Sequence, residues 1–183
     1  MEMASGTGRA GGVDEDLVIG TGELTFGKLL GRGAWGEVFR GRLRNNREVA
    51  IKLLDLAGVA QASQFLRGKE ALLRMAADLR GSKRVCRLLG IGVKDGKPYA
   101  VMPLFRESLA RRVINQGPLK PDELLEAAVQ VLEGLQDLHA RWIVHGAVKP
   151  SNVLMEDSGG LVLADYGLRS VAEAMGVPVS AAR

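Results

Sequence analysis

His145-Gly146-Ala147-Val148-Lys149-Pro150-Ser151-Asn152 is followed, 13 residues after Asn152, by the triplet Asp165-Tyr166-Gly167. Two short apolar segments, Val153 to Met155 and Leu161 to Leu163, lie between these motifs on either side of the turn-forming residues 157–160. Short apolar runs bounded by turn residues are typical of β-strands. The pattern therefore predicts a small β-hairpin between the two motifs.

A glycine-rich segment precedes this region. Gly31-Arg32-Gly33-Ala34-Trp35-Gly36 fits the pattern G-x-G-x-x-G, which can also open the helix of a dinucleotide-binding fold. Here the alternating segment Glu37-Val38-Phe39-Arg40 follows, which favours a strand and places the glycines at the tip of a hairpin. Such a tip lets backbone N–H groups approach a polyphosphate, although a plain tight hairpin would show the same pattern.

The apolar segment Val49-Ala50-Ile51-Lys52 ends on a lysine. Burying an ammonium group is costly unless an anion meets it, so the position favours an anionic ligand or a nearby acidic side chain. Glu70 lies 18 residues further on, within a segment of helical apolar spacing, and is the predicted partner. Two alternatives stay open: Lys52 as a surface residue whose stem covers apolar neighbours, and Glu70 as an ordinary solvated residue.

Together these motifs resemble the protein kinase family. Their order, spacing and residue types match its glycine-rich loop, the Lys of V-A-I-K, the catalytic loop H-R-D-L-x-x-x-N and the D-F-G triplet. The resemblance implies a two-lobed α+β fold over residues 23–183, with a complete small β-rich lobe at about 23–105 and the start of a helical large lobe at about 106–183. Residues 149–152 are similar to the serine/threonine-specific loop, and the chain in general is similar to the tyrosine-kinase-like branch common in plants.

The resemblance also implies cofactors, partners and roles for residues. ATP and Mg²⁺ are the expected cofactors, and a protein substrate or regulatory protein is the expected partner. By position, catalytic roles fall on Lys52, Glu70 and Lys149, and the magnesium ions fall on Asn152 and Asp165. The nucleotide itself is expected to contact residues from the glycine-rich loop, the small-lobe strands and the segment linking the lobes, namely Leu30, Gly31, Gly33, Gly36, Val38, Ala50, Lys52, Met102, Pro103, Phe105 and Leu154.

Residues in the catalytic loop and in the first helix depart from the family's pattern, and Gly146 replaces the Arg of the loop. Ala147 stands where the catalytic aspartate belongs, and a positioned base contributes about 10²–10⁴ in rate. We therefore expect an ATP-binding regulatory domain with impaired catalysis; the alternatives are a weakly active serine/threonine kinase and a non-catalytic protein-interaction fragment. Arg74, four residues after Glu70, stands where the family has an apolar residue of its internal spine. Either the register is off by one residue or the spine is incomplete.

The chain has 16 residues after Gly167, and the family's A-P-E triplet does not occur among them. The helix that Pro121 is predicted to open carries an apolar stripe, which consists of Leu124, Ala128, Val131, Leu135 and Leu138. In the family, later helices cover this face. We therefore expect the stripe to be exposed here or to need a partner.

Apolar spacing and turn residues predict the remaining elements. Strands are expected over residues 24–31, 37–43, 48–54, 87–93 and 97–102, and a helix over about 60–80. Residues 1–22 are rich in Gly, Ser and Thr and are expected to form a disordered lead-in.

Composition bears on the class of protein. The chain is 46% apolar and 25% charged, which is typical of a globular domain with a buried core. The net charge of +4 is spread along the chain, without the basic stripe and interleaved aromatics of a nucleic-acid binder. Neither an apolar run of about 18 residues nor a secretory leader occurs, so the expected location is the cytoplasm, with the nucleus as the alternative, and no membrane partner is expected. Cys86, the single cysteine, allows no internal disulfide.

Overall fold

The computed structural model describes residues 21–33, 35–55 and 73–167. The first region is a five-stranded antiparallel sheet with the strand order β1-β2-β3-β5-β4. Its strands are β1 (Leu24–Gly33), β2 (Gly36–Leu43), β3 (Glu48–Leu54), β4 (Gly90–Lys94) and β5 (Lys97–Pro103). A short 3₁₀ turn, Thr21–Glu23, precedes β1, and residues 73–78 form the helix α1.

The second region contains helices and a small sheet. Its elements are β6 (Glu107–Ser108), α2 (Leu109–Gln116), α3 (Pro121–His139), a 3₁₀ turn (Pro150–Asn152), β7 (Val153–Met155) and β8 (Leu161–Leu163). The three strands pair in the order β6-β7-β8. A β-rich region followed by helices and a hairpin confirms the α+β fold class.

Close packing in the five-stranded sheet depends on two glycines of β2. Gly36 has a φ of +126°, and a Cβ there would lie 2.0 Å from the carbonyl oxygen of Leu53. A Cβ on Gly41 would lie 2.2 Å from Cδ1 of Ile51. At Gly36 the backbone of β2 therefore approaches β3 more closely than any side chain would allow, whereas a Cβ on Gly41 would displace the end of the Ile51 side chain.

Each region has its own apolar core. In the first, Val49, Ile51 and Val101 are completely buried and pack with Tyr99. In the second, Leu138 of α3 and Leu163 of β8 are buried together, so α3 packs against the β7–β8 hairpin. Burial of these apolar side chains stabilises each sheet and the helices that pack against it.

The predicted strand 87–93 is wrong at its start, because the structure begins β4 at Gly90. The preceding backbone pairs with β8 instead. The Cys86 N–H donates to the Leu163 carbonyl over 2.7 Å, and the Leu163 N–H donates to the Arg84 carbonyl over 2.8 Å. Val85 thus forms a parallel bridge to Leu163, and Leu89 already donates its N–H to the Val101 carbonyl of β5 over 2.7 Å, just before β4 begins.

The expected exposure of the apolar stripe of α3 holds at its start and is wrong at its end. Leu124 and Ala128 are exposed, whereas Leu138 is buried and Val131 and Leu135 are half-buried against the second core. The end of the stripe is therefore covered within this chain. The other buried residues of the helix are Ala127, Gln130 and Gly134, and a Cβ on Gly134 would lie 2.8 Å from the Arg84 carbonyl oxygen.

Other predicted bounds differ by one or two residues. β1 ends at Gly33, β2 begins at Gly36 and β5 ends at Pro103. Strands β3, β7 and β8 have the predicted bounds. Of the predicted helix 60–80, residues 60–72 lie outside the described residues, and the helical turns end at residue 78. The predicted lead-in also lies outside them, apart from Thr21 and Gly22 in the 3₁₀ turn.

Within the described ranges, none of the helices combines the length and the apolar character needed to cross a membrane.

Leu138→Ala should lower the free energy of unfolding by about 2–5 kcal/mol, because Leu138 is completely buried and truncation leaves a cavity. Leu132→Ala, on the exposed face of the same helix, should change it by less than about 0.5 kcal/mol. Urea denaturation followed by circular dichroism measures both values. Equal effects of the two substitutions would show that α3 does not pack as described.

Candidate functional site

A cleft of about 780 Å³ lies between the five-stranded sheet and the second region. This volume is within the usual range for small-molecule sites. The wall from the first region includes Leu30, Gly31, Val38, Ala50, Lys52 and Met102. The opposite wall includes Ser151, Asn152, Leu154, Ala164 and Asp165.

The register of β3 places its functional side chains on the cleft side of the sheet. Val38 lies opposite Lys52, and Ala50 lies opposite Met102. Side chains two residues apart on a strand share a face, so Ala50 and Lys52 point the same way. The intervening Ile51 points into the first core.

Lys52 and Asp165 form an ion pair across the cleft. The Lys52 Nζ donates a hydrogen bond to Oδ2 of Asp165, and their side chains are only 5% and 18% exposed. Asp165 has a φ of +63°, a left-handed conformation that aspartate tolerates better than most residues. A buried ammonium needs such a partner, and removing either group would leave an uncompensated charge.

Asn152 is buried beside this pair, and backbone contacts hold the loop that carries it. Its Nδ2 donates to the Ala147 carbonyl over 2.9 Å, and its backbone N–H donates to the Lys149 carbonyl over 2.8 Å. Its own carbonyl accepts from the N–H of Ala164 over 2.8 Å. These bonds tie the loop to the residue immediately before Asp165, so both side chains reach the same cleft.

The loop closes without a carboxylate at Ala147. The Ala147 N–H donates to Nδ1 of His145 over 3.3 Å, which requires that nitrogen to be unprotonated. His145 is 2% exposed, and burial lowers the pKa of its imidazole because the charged form loses its hydration. An unprotonated Nδ1 of His145 therefore accepts this bond and supports the loop.

The three glycines of the hairpin tip have different surroundings. A Cβ on Gly31 or Gly33 would meet nothing within 4 Å, whereas Gly36 is needed for the backbone itself. The space beside Gly31 and Gly33 is therefore open to a ligand that approaches the backbone closely.

Some predicted site residues do not line the cleft. Leu104 and Phe105 line it, whereas Pro103 pairs with Val49 at the end of β5. The sequence missed Leu104, although it lies within the predicted linking segment. Gly33, Gly36 and Lys149 are likewise absent from the lining, and Lys149 is exposed. Glu70 lies outside the described residues.

Met75 lies against the Asp165-Tyr166-Gly167 triplet. A Cβ on Gly167 would lie 2.3 Å from Cε of Met75, and Met75 lines a small cavity with Tyr166 and Cys86 behind Lys52. Arg74 is exposed and Met75 is half-buried, but Glu70, from which the register is counted, lies outside the described residues, so both alternatives for the spine stay predictions. The Tyr166 hydroxyl donates to the Cys86 carbonyl over 3.1 Å, and burial raises the pKa of the Cys86 thiol to about 12.

The groups of the cleft that are candidates for a metal ion are the carboxylate of Asp165 and the side-chain amide of Asn152. In the described part of the chain, no group of three or more His, Cys, Asp or Glu residues could hold a metal ion. Asp165 and Asn152 nevertheless fit Mg²⁺, which is usually bound through one or two protein oxygens while waters and phosphates fill its other positions.

Comparison with known proteins gives one family. A family model described as the protein kinase domain matches residues 24–178. A probable serine/threonine-protein kinase of Dictyostelium discoideum is 31% identical over 156 residues, which are 84% of this chain and 31% of that protein. The serine/threonine-protein kinase PknL of Mycobacterium tuberculosis is 33% identical over 153 residues, covering 79% of this chain and 37% of the relative. CBL-interacting protein kinase 19 of Oryza sativa subsp. japonica is 31% identical over 172 residues, which are 92% of this chain and 32% of that protein.

The chain thus spans about a third of the length of the curated relatives that it matches.

Removing either partner of the Lys52–Asp165 pair should destabilise the ligand-free protein, by about 3–5 kcal/mol for a fully buried pair. Lys52→Met and Asp165→Asn keep the approximate shape of each side chain, and Asn also tolerates the positive φ. The double variant should lose less stability than the sum of the single losses, with a coupling of about 0.5–3 kcal/mol. Urea denaturation of all four proteins measures this coupling, and a value of zero would contradict the ion pair.

Proposed function

Since this chain belongs to the protein kinase family, we propose that it is a serine/threonine kinase-like domain that binds ATP and Mg²⁺ but is catalytically impaired. One observation carries the proposal: hydrogen bonds to the backbone of Ala147 hold the loop and place Asn152 in the cleft, yet the loop offers no carboxylate at the base position. The domain keeps a binding site and lacks the residue that would accept the proton of a substrate hydroxyl.

The shape and lining of the cleft support binding of ATP. Apolar side chains from both walls, among them Leu30, Val38, Ala50 and Leu154, would sandwich the adenine ring. The open space at Gly31 and Gly33 lies at the hairpin tip, where backbone N–H groups would meet phosphates. Lys52 supplies a fixed positive charge in the same cleft.

Asn152 and Asp165 are the residues that would hold magnesium. When bound, the ion would neutralise part of the charge of the phosphates. Asp165 already lies beside Lys52, so its carboxylate would be shared between a cation of the protein and the metal. Asn152 is fixed through its Nδ2, which leaves its Oδ1 free of a hydrogen bond among the described residues.

No other carboxylate in the described cleft replaces the missing base. Glu107 and Asp165 are the only acidic residues among its described lining residues. Glu107 is paired with Arg106 over 3.2 Å, and Asp165 is paired with Lys52. The loss of a positioned base corresponds to about 10²–10⁴ in rate, or roughly 3–5 kcal/mol of barrier.

Lys149 favours a second candidate function, that of a weakly active serine/threonine kinase. Its side chain is exposed and makes no ion pair with the described residues, so it is available to contact a transferred phosphoryl group. Phosphoryl transfer depends mainly on positioning and charge neutralisation, so the remaining Lys52, Asn152 and Asp165 would support slow turnover.

Millimolar Mg-ATP should raise the melting temperature, since a ligand at 100 times its Kd stabilises the folded state by about 2.7 kcal/mol. Lys52→Ala and Asp165→Ala should each remove most of this shift, measured against the ligand-free melting temperature of the same variant. Lys97→Ala, an exposed lysine of β5 outside the cleft, should keep it. A wild-type melting curve that does not respond to Mg-ATP would exclude ATP binding.

Ala147→Asp should raise autophosphorylation or ATP hydrolysis, by at most about 10²–10⁴-fold, because it restores a base on a loop that is already folded. Ala147→Asn adds a side chain of similar size without the charge and should give little increase. Phosphate release and incorporation of labelled phosphate measure the effect. If wild type and Ala147→Asp turned over ATP equally fast, the missing base would not limit the reaction.

A further inference from the structure

The mouth of the cleft carries basic side chains from both of its walls. Lys28 of β1 and Arg40 of β2 line it on one side, and Arg106 and Arg111 line it on the other. Together with Lys52 they give five cations against the two carboxylates of Glu107 and Asp165, a net lining charge of +3 among the described residues. The proposed nucleotide site accounts for Lys52 only.

Three of these cations already have partners. Lys52 pairs with Asp165, Arg106 pairs with Glu107, and Arg40 pairs with Glu48 over 2.6 Å. Lys28 and Arg111 are exposed, and no carboxylate of the described residues lies within 4.0 Å of either cation. One unpaired positive charge therefore stands on each side of the cleft mouth.

The local structure at Arg111 adds to this positive potential. Arg111 lies in the first turn of α2, where its backbone N–H donates to Oγ of Ser108 over 3.3 Å. Helix N-termini are partially positive; the first turn of α2 has no acidic residue, and Glu107, which lies just before the N-cap Ser108, is paired with Arg106. An external anion at this position would meet both the guanidinium and the helix end.

Lys28 lies away from the hairpin tip. It precedes Leu30, which is assigned to the adenine ring, whereas the glycines of the tip follow Leu30 along β1. The described lining has one aromatic residue, Phe105, so there is no series of stacking surfaces for the bases of a nucleic acid. A polypeptide with acidic side chains matches the unpaired positive charge on both walls of the cleft.

We propose that the cleft mouth binds an acidic segment of a polypeptide partner, with its carboxylates placed between Lys28 and Arg111. The proposal rests on the proposed function, since it assigns the partner of the same cleft, but it places the partner outside the nucleotide. Polypeptide and Mg-ATP therefore bind together. Charges at the rim of an interface act mainly on the association rate and on salt dependence.

The test uses the whole chain and a fluorescein-labelled peptide of alternating Asp, Glu and Gly, followed by anisotropy with and without Mg-ATP. Lys28→Glu/Arg111→Glu should weaken peptide binding at least about tenfold, and about 1 M salt, with a screening length of about 3 Å, should do the same to wild type. The control Arg47→Glu/Lys83→Glu reverses two exposed cations outside the cleft, with the same change in net charge, and should bind like wild type.

Mg-ATP melting shifts of the same proteins separate the two proposals. Both double variants should keep the melting shift that Mg-ATP produces. If the wild type itself showed no shift, this result would contradict nucleotide binding, and the peptide-binding measurements would still decide the peptide site. Equal peptide affinity for both double variants would overturn the acidic-partner proposal. Complete displacement of the peptide by Mg-ATP would also overturn it, because the peptide would then occupy the site at Lys52. Tighter binding of a single-stranded oligonucleotide of equal charge would assign the mouth to nucleic acid instead.

Discussion

The buried ion pair between Lys52 and Asp165 is the constraint on which the site depends. Lys52 is fixed by the centre of the five-stranded sheet, and Asp165 follows the last strand of the second region. Because a buried ammonium is costly without a partner, the pair favours one arrangement of the two walls of the cleft. Backbone hydrogen bonds from the Cys86 N–H to the Leu163 carbonyl, and from the Leu163 N–H to the Arg84 carbonyl, connect the same two regions two residues before Asp165.

The catalytic loop shows that its shape and its chemistry depend on different atoms. Asn152 is held by the carbonyl oxygen of Ala147, and His145 accepts from the Ala147 N–H. Both contacts use the backbone of residue 147, which any residue except proline would provide. Under the proposed function, Ala147 in place of the aspartate would remove the base without removing the support for Asn152. The groups proposed to hold magnesium would then remain although the proton acceptor is lost.

The sequence predicted the elements whose signals are local. Strands β3, β7 and β8 have the expected bounds because short apolar runs are enclosed by turn residues. The start of β4 was not predicted correctly, because Leu88 and Leu89 continue the apolar run whereas the strand begins at Gly90. The bridge from Val85 to β8 could not be predicted either, since its partner Leu163 is almost 80 positions away. The packed face of α3 was missed because it contains Gln130, whose Oε1 accepts from Arg84 and from the Leu161 N–H. The packing of Met75 against Gly167 is a contact between distant residues and could not be predicted from the sequence, whereas the missing aspartate at Ala147 could be recognised from the motif alone.

We propose that this chain binds ATP through magnesium held by Asp165 and Asn152, although Ala147 offers no base. Isothermal titration of ATP into the wild-type protein, with magnesium and with a chelator, is the sharpest test, and Asp165→Asn is the matched variant. Magnesium should tighten ATP binding to wild type by at least about tenfold, or about 1.4 kcal/mol. Its effect on Asp165→Asn should be much smaller. The same ATP affinity with and without magnesium in the wild-type protein would contradict the proposal.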